Sequence, residues 1–362
     1  MNSGLFPSFE NSDWLTNFCN FIGMLSLQSI GIEFWYSIFG LIPAICHLIV
    51  LTRKTMMVNS IASIMIVIAI CDIFLIITTI ALGKITVNFS GFECTPPSSH
   101  FVLQLHWLLM ACRDDVIRCS TWLSVVMAIF RFVVVTFFSK TRFQVFSKFK
   151  TGIKGSAICF FCSSLFSLCF YFCVKFEKVG NWHPGIQCSN VPSNMEFPIH
   201  QQQVSDLFAM GGGTQYRLYL LMNGLFSKIF PCILLPTLTF LLIVVLRKTA
   251  KNRTVSTSHM NKNNTEKTTV LVIIKSFMLF MASLPLGVVT GFQVMYNDLG
   301  FFLLCIYSET ISVAFMLWNS LVNCLVCYAM SFQYRKTVRR CLKMSEPVKR
   351  TSNILYLRGK MT

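Results

Sequence analysis

The chain has 362 residues, 54% of them hydrophobic and only 12% charged, with 31 Lys and Arg against 14 Asp and Glu for a formal net charge of +17. A soluble domain carries about 25% charged residues, and a globule this apolar could not cover its own surface. Disordered chains are poor in apolar residues, so a membrane protein with several spans is what remains.

The first stretch, MNSGLFPSFENSDWLTNF, has no basic start and no compact apolar run before a small-residue site, so no cleaved signal peptide is expected. Residues 1–31 read as an N-terminal tail, residues 32–330 as the membrane domain and residues 331–362 as an amphipathic helix with a tail. A span needs roughly 20 mostly apolar residues, and seven runs qualify. The first covers residues 32–52, with Glu33 at its outer edge and His47 inside. The second, 59–83, carries Asp72 near its middle. The third, 100–138, is long and interrupted by Arg113, Asp114, Asp115 and Arg118. The fourth is 155–174, and the fifth, 216–246, contains Lys228, Pro231 and Pro236. The sixth, 268–295, holds Pro285, and the seventh is 301–328.

Orientation follows from the loops. With the N-terminus outside, the inner segments hold 22 basic residues and the outer ones hold Lys84, Lys175, Lys178 and Arg217. Cytoplasmic loops collect Lys and Arg, so the N-terminus is expected outside and the C-terminus inside. The same bias accounts for the positive charge without nucleic acid. Asn88, followed by Phe89 and Ser90, is a glycosylation sequon on the outer side.

Within the spans, Asp72 in IAICDIFLI should face the bundle interior, because a carboxylate in lipid is costly. It is either a structural polar group or, with Asn319, Ser320 and Asn323 of the seventh span, part of a cation site. In CRDDVIRCSTW, Asp114 and Arg118 are spaced i,i+4 and share one helix side. They form either an internal ion pair or a ligand site. Arg113, with Ile117 one turn on, is the other candidate ligand contact there. Arg113 and Arg131 lie 18 residues apart, about five turns, so they face one side at opposite ends of the helix. Lys228 lies one turn before Pro231 and either reaches outward to the interface or joins the ligand site.

After the seventh span, SFQYRKTVRRCLKM places Tyr334, Val338, Cys341 and Leu342 on one face and its basic residues on the other. This is an amphipathic helix lying on membrane lipid, with Cys341 a candidate for palmitoylation. The sixteen Cys lie mostly in apolar runs, and the C-x-x-C spacings at Cys159 and Cys324 lack the setting of a redox or zinc site. No H-E-x-x-H, G-x-S-x-G or phosphate loop is present, so no enzyme is expected.

The phrases HLIVLTRKTM, IAICDI, DDVIRCSTWLSVVMAIFR, PCILLPTLTFLL, LPLG and NSLVNCLVCYAMSFQYR resemble the nematode serpentine receptors of class w. That class is similar to FMRFamide-type neuropeptide receptors among the rhodopsin-like G-protein-coupled receptors. The resemblance covers roughly residues 30–345. It implies an all-α membrane fold, a seven-transmembrane bundle of the rhodopsin-like type with a short amphipathic eighth helix. By the same resemblance Asp72, Ser120, Asn319 and Asn323 match a polar network that commonly binds sodium; no other cofactor or metal is implied. Arg131 matches the arginine that engages the G protein, with Tyr328 and Arg335 beside it. Cys94 and Cys188 match a disulfide at the outer surface. Departures stand out: Phe130 and Phe132 replace the usual acidic and tyrosine neighbours of the arginine, Ala282-Ser283-Leu284-Pro285 has no tryptophan, and Cys324 replaces the seventh-helix proline.

The expected function is a plasma-membrane receptor that passes an extracellular signal to heterotrimeric G proteins. Its ligand is expected to be an FMRFamide-like neuropeptide meeting Arg113, Asp114, Ile117, Arg118 and Lys228. The alternatives are a chemosensory receptor for a small environmental molecule, and, in another class, a channel or transporter. A channel needs a continuous polar path through facing helices, and only the third run shows clustered charges.

Overall fold

A computed structural model of the chain describes residues 4–10, 12–89, 94–137, 141–184, 192, 195–252, 259–330 and 332–341. Helices α1 (Asp13–Leu51), α2 (Ser60–Phe89), α3 (His100–Thr136) and α4 (Phe149–Phe172) come first. An antiparallel hairpin of β1 (Val174–Trp182) and β2 (Phe197–Val204) follows. Then come α5 (Asp206–Ala209), α6 (Thr214–Asn223), α7 (Phe230–Asn252), α8 (His259–Met295), α9 (Leu299–Met330) and α10 (Phe332–Cys341). A π-helical turn, Gly224–Ile229, joins α6 and α7 into one span, so among the described residues seven helical segments are long and apolar enough to cross a membrane. They close into a ring: α3 packs on α2, α4 and α7, and α9 packs on α8 and α1.

The residue pattern is that of a protein solvated by lipid. On α4 the inward residues are Gly152, Ser156, Ser163 and Ser167, whereas Phe160, Phe161, Leu165 and Leu168 face outward. Small residues let helix backbones approach when lipid supplies no hydrophobic drive between them. Gly152 is the tightest such place. A Cβ there would meet Ser63 Oγ at 2.0 Å and the Ser60 carbonyl oxygen at 2.4 Å. Gly152→Ala must therefore push α4 off α2. We expect it to cost about 1–3 kcal/mol, as overpacking does, and to lower the melting temperature of the detergent-solubilised protein; an unchanged melt would contradict this packing.

The first helix corrects an expectation. Residues 1–31 read as a tail in the sequence, yet α1 starts at Asp13 and runs for 39 residues. At 1.5 Å per residue that is about 58 Å, well beyond one bilayer core. Its inward seam is built from small and polar residues, including Gly23, Ser26, Ser29, Ser37, Gly40 and Ala44. Ser26 and Ser29 return their hydroxyls to the helix's own carbonyls, so the seam needs no apolar run, which is why an apolar-run reading stops short of it.

The chain ahead of α1 is docked as well. Phe6 is wholly buried, its ring edge-on to Phe301 at 5.1 Å. Ser8 donates its N–H (3.1 Å) and its hydroxyl (2.7 Å) to the Asp298 carboxylate. The Gly300 N–H donates to the Leu5 carbonyl at 2.8 Å. Gly300 has no side chain to spare there, since an added Cβ would lie 2.3 Å from the Phe6 ring. The N-terminal segment thus seals the α8–α9 turn against α1.

At the same end, His100 at the start of α3 lies 5.1 Å from His200 of β2, ring to ring. The hairpin was not foreseen in the sequence, where this stretch reads as a long loop. Lys175 of β1 bonds Asp206 and Glu177, both at 2.6 Å, and those bonds hold its ammonium above the ordinary lysine range.

At the opposite end α10 is amphipathic, as expected. Tyr334 turns inward, and its hydroxyl meets Nδ1 of His47 at 2.8 Å; burial pushes its phenol up. Gln333 donates to the Thr55 carbonyl at 3.0 Å, and Thr55 and Thr337 are 3.4 Å apart. The helix is fastened to the α1–α2 turn.

Candidate functional site

The charged cluster of α3 lies in the half of the bundle nearest the hairpin. Arg118 is 3% exposed. Its Nε donates to Ser227 (2.7 Å), its Nη1 to the Ser163 carbonyl (2.9 Å) and to Ser167 (3.0 Å). Nη2 pairs with Asp114 and donates to Asn223 at 3.2 Å. The guanidinium face also lies over Phe166 at 5.4 Å. One arginine thereby joins α3, α4, α6 and the π turn. The fork of five N–H donors suits such a node.

Two ligand expectations are corrected by this geometry. Arg118 is used up within the protein, and Ile117 is buried in the core of the bundle. Asp114 is held from two sides, by Arg118 and by Lys228 Nζ at 3.6 Å. Asp115 turns toward α4, accepting from Ser163 at 2.5 Å and Ser164 at 3.1 Å. Of the two readings left open for Asp114 and Arg118, the internal ion pair is the one built.

Lys228 reaches Asp114 because of a local rule of the fifth span. Pro231 has no N–H and its ring clashes with the preceding turn, so the helix widens ahead of it. The Phe230 N–H bonds to the Leu225 carbonyl, five residues back, which is the π pattern. The Phe226 carbonyl, which has no donor at Pro231, takes the indole N–H of Trp122 at 3.1 Å instead. Gly287 of α8 makes room for this wide turn: a Cβ there would meet Ile229 Cγ1 at 2.8 Å and Lys228 Cβ at 3.1 Å. Lys228 therefore points into the bundle, not out to the interface.

Arg113 faces a different partner. Its Nη2 bonds Glu309 Oε1 of α9 at 3.1 Å. Glu309 is a residue that the sequence reading missed. It lies in YSETISV of the seventh span, and an acidic residue inside an apolar run is itself a signal. Glu33 of α1 is buried. Its Oε1 is buried without a hydrogen-bond partner.

Deeper in the bundle, Asp72, Ser120 and Asn319 line one cavity together with Ile117 and Met316. Asp72 and Asn323 line a second with His47 and Cys327. Asn323 Nδ2 donates to Asp72 Oδ2 at 3.5 Å. The Oδ1 atoms of Asn319 and Asn323 are buried without a hydrogen-bond partner. Buried polar oxygens ordinarily have one. A carboxylate, a hydroxyl and two unsatisfied amide oxygens are a donor set that fits a small hard cation or ordered water. Among the described residues no group of three or more His, Cys, Asp or Glu could hold a metal ion.

At the α10 end, Phe130 packs edge-on to Phe146 at 5.4 Å, so the place before Arg131 is filled by an aromatic contact rather than a carboxylate. Arg335 donates Nη1 to the carbonyls of Tyr328 (3.2 Å) and Ala329 (2.5 Å). It caps the C-terminus of α9, where the helix dipole favours a cation. Tyr328 is exposed.

Cys94 is disulfide-bonded, while Cys188 lies outside the described residues. The side chains of Asn88, at the end of α2, and of Cys341, at the end of α10, also lie outside them.

A model of the family described as "Serpentine type 7TM GPCR chemoreceptor Srw" matches residues 31–345. The chain is similar to the sex peptide receptor of Drosophila melanogaster, 25% identical over 159 residues, a match covering 41% of this chain and 36% of that receptor.

Proposed function

Because the chain belongs to the Srw family of serpentine G-protein-coupled receptors, we propose that it is a plasma-membrane receptor for an extracellular peptide, which it couples to a heterotrimeric G protein. The family is one of receptors rather than enzymes. The observation that carries the ligand assignment is the ion pair of Arg113 and Glu309 near the hairpin, which joins α3 to α9 and leaves the Glu309 side chain partly exposed. A pair of that kind suits a charged, extended ligand better than a small apolar one. The name of the Drosophila relative, a receptor for a peptide, favours the same class.

The 22 basic residues of one set of alternate segments, against four in the other, support an outer N-terminus and a cytoplasmic α10. On this orientation Arg131, Tyr328 and the basic face of α10 meet the G protein, and α10 lies on lipid. Cys94 pairs with Cys188 at the outer surface, Asn88 carries a glycan and Cys341 a palmitoyl group. Ligand binding favours the signalling state by its differential affinity for two states, typically about 1–3 kcal/mol. Asp72, Ser120, Asn319 and Asn323 hold a sodium ion in the resting bundle, supported by the unsatisfied amide oxygens around Asp72.

The test is a library of amidated peptides applied to cells expressing the full chain, read by second messenger. Activation by peptides bearing an Arg-Phe-amide end is expected. Activation by small volatile or water-soluble chemicals alone would give the ligand to the second reading, a chemosensory receptor, which the family's description favours.

A further inference from the structure

The helix α10 is held at two places. Gln333 and Thr337 meet Thr55 of the α1–α2 turn. Tyr334 goes deeper. Its ring is buried in an apolar layer with Val50, Leu51 and Cys327, and its hydroxyl meets His47 Nδ1 at 2.8 Å.

His47 is buried too, and it serves two places at once. It lines the cavity that Asp72, Asn323 and Cys327 also line, a space of about one water. Helices α1, α2 and α9 thus bring an imidazole and a carboxylate to one cavity, and the same imidazole holds α10. Asn323 donates to Asp72 at 3.5 Å, while its Oδ1 is buried without a hydrogen-bond partner. A water in the cavity would satisfy that oxygen.

We propose that His47 is a relay: the state of the Asp72 carboxylate, passed on through the water of the cavity, sets how firmly α10 is held. The chemistry lies in the two nitrogens of imidazole. When Nε2 carries the hydrogen and donates into the cavity, Nδ1 is the acceptor and takes the hydrogen of the Tyr334 hydroxyl. A negative charge on Asp72 draws on the Nε2 hydrogen, makes Nδ1 a stronger acceptor and tightens the bond to Tyr334, since linked hydrogen bonds polarise one another. Neutralising Asp72 loosens it. The helix proposed to meet the G protein thereby reads a group from the middle of the bundle. The relay goes beyond the proposed function and is independent of the ligand's identity.

Hydrogen exchange of residues 332–341, followed by mass spectrometry on the full-length receptor in lipid nanodiscs, reports the local opening of α10. Asp72→Asn keeps the shape and loses the charge, and it should speed this exchange about twofold or more, the small end of a direct coupling between residues. Tyr334→Phe keeps the ring in its apolar layer and removes the last bond of the relay. On that background Asp72→Asn should add nothing further. Gln333→Ala loosens α10 at Thr55 instead, and there the effect of Asp72→Asn should persist in full. An α10 exchange rate unmoved by Asp72→Asn, or an effect of equal size with and without the Tyr334 hydroxyl, would overturn the relay. Should Asp72→Asn fail to fold, Asn323→Ala disturbs the same cavity and is read in its place against the same two backgrounds.

Discussion

Arg118→Ala should abolish surface expression. The substitution leaves Asp114 with the longer contact to Lys228, at 3.6 Å. It also strips donors from the Ser163 carbonyl and from Asn223 Oδ1, and partners from Ser167 and Ser227. Breaking a buried pair costs about 3–5 kcal/mol, a large part of the 5–15 kcal/mol or so that keeps a protein folded. Arg118→Lys should not rescue it, because an ammonium cannot fork to helices on both sides. Surface labelling of intact cells, with the melting temperature of any solubilised protein, decides the matter. If Arg118→Ala reached the surface and melted like the wild type, the role of this node would be lost.

Arg131→Ala is expected to act in the opposite way, removing signalling by roughly tenfold or more with surface expression intact. Phe130 takes the preceding place in a packed contact with Phe146, so no carboxylate adjacent in sequence holds the arginine in a resting state. Phe130→Asp would supply one, and evoked signalling should fall as the arginine is tied down. Dose–response curves normalised to surface receptor number test both changes. Undiminished signalling by Arg131→Ala would remove that residue from G-protein coupling.

The two substitutions separate what was legible along the chain from what was not. The pairing of Asp114 with Arg118 is an i,i+4 relation within one helix, visible as a spacing. The other ends of that network, Ser163, Asn223 and Ser227, are on helices whose approach no local pattern encodes. Glu309 is more instructive. Its partner Arg113 is 196 residues away, and a single acid in YSETISV is easily passed over when charges are sought in clusters. Lys228 had two readings, and the choice between them fell to Pro231, whose missing N–H widens the helix and turns the lysine inward.

Composition and hydropathy by themselves determined the seven spans, the lopsided loop charge and the amphipathic α10, because lipid requires long self-bonded helices whatever their neighbours are. Helix spacing likewise determined which charges share a face. The tertiary structure alone decided that α1 continues back to Asp13, that Phe6 and Ser8 seal the α8–α9 turn, and that Arg113 pairs with Glu309. The reason is physical: transfer into lipid is a property of a segment, whereas the satisfaction of a buried charge depends on whichever groups other segments bring within reach.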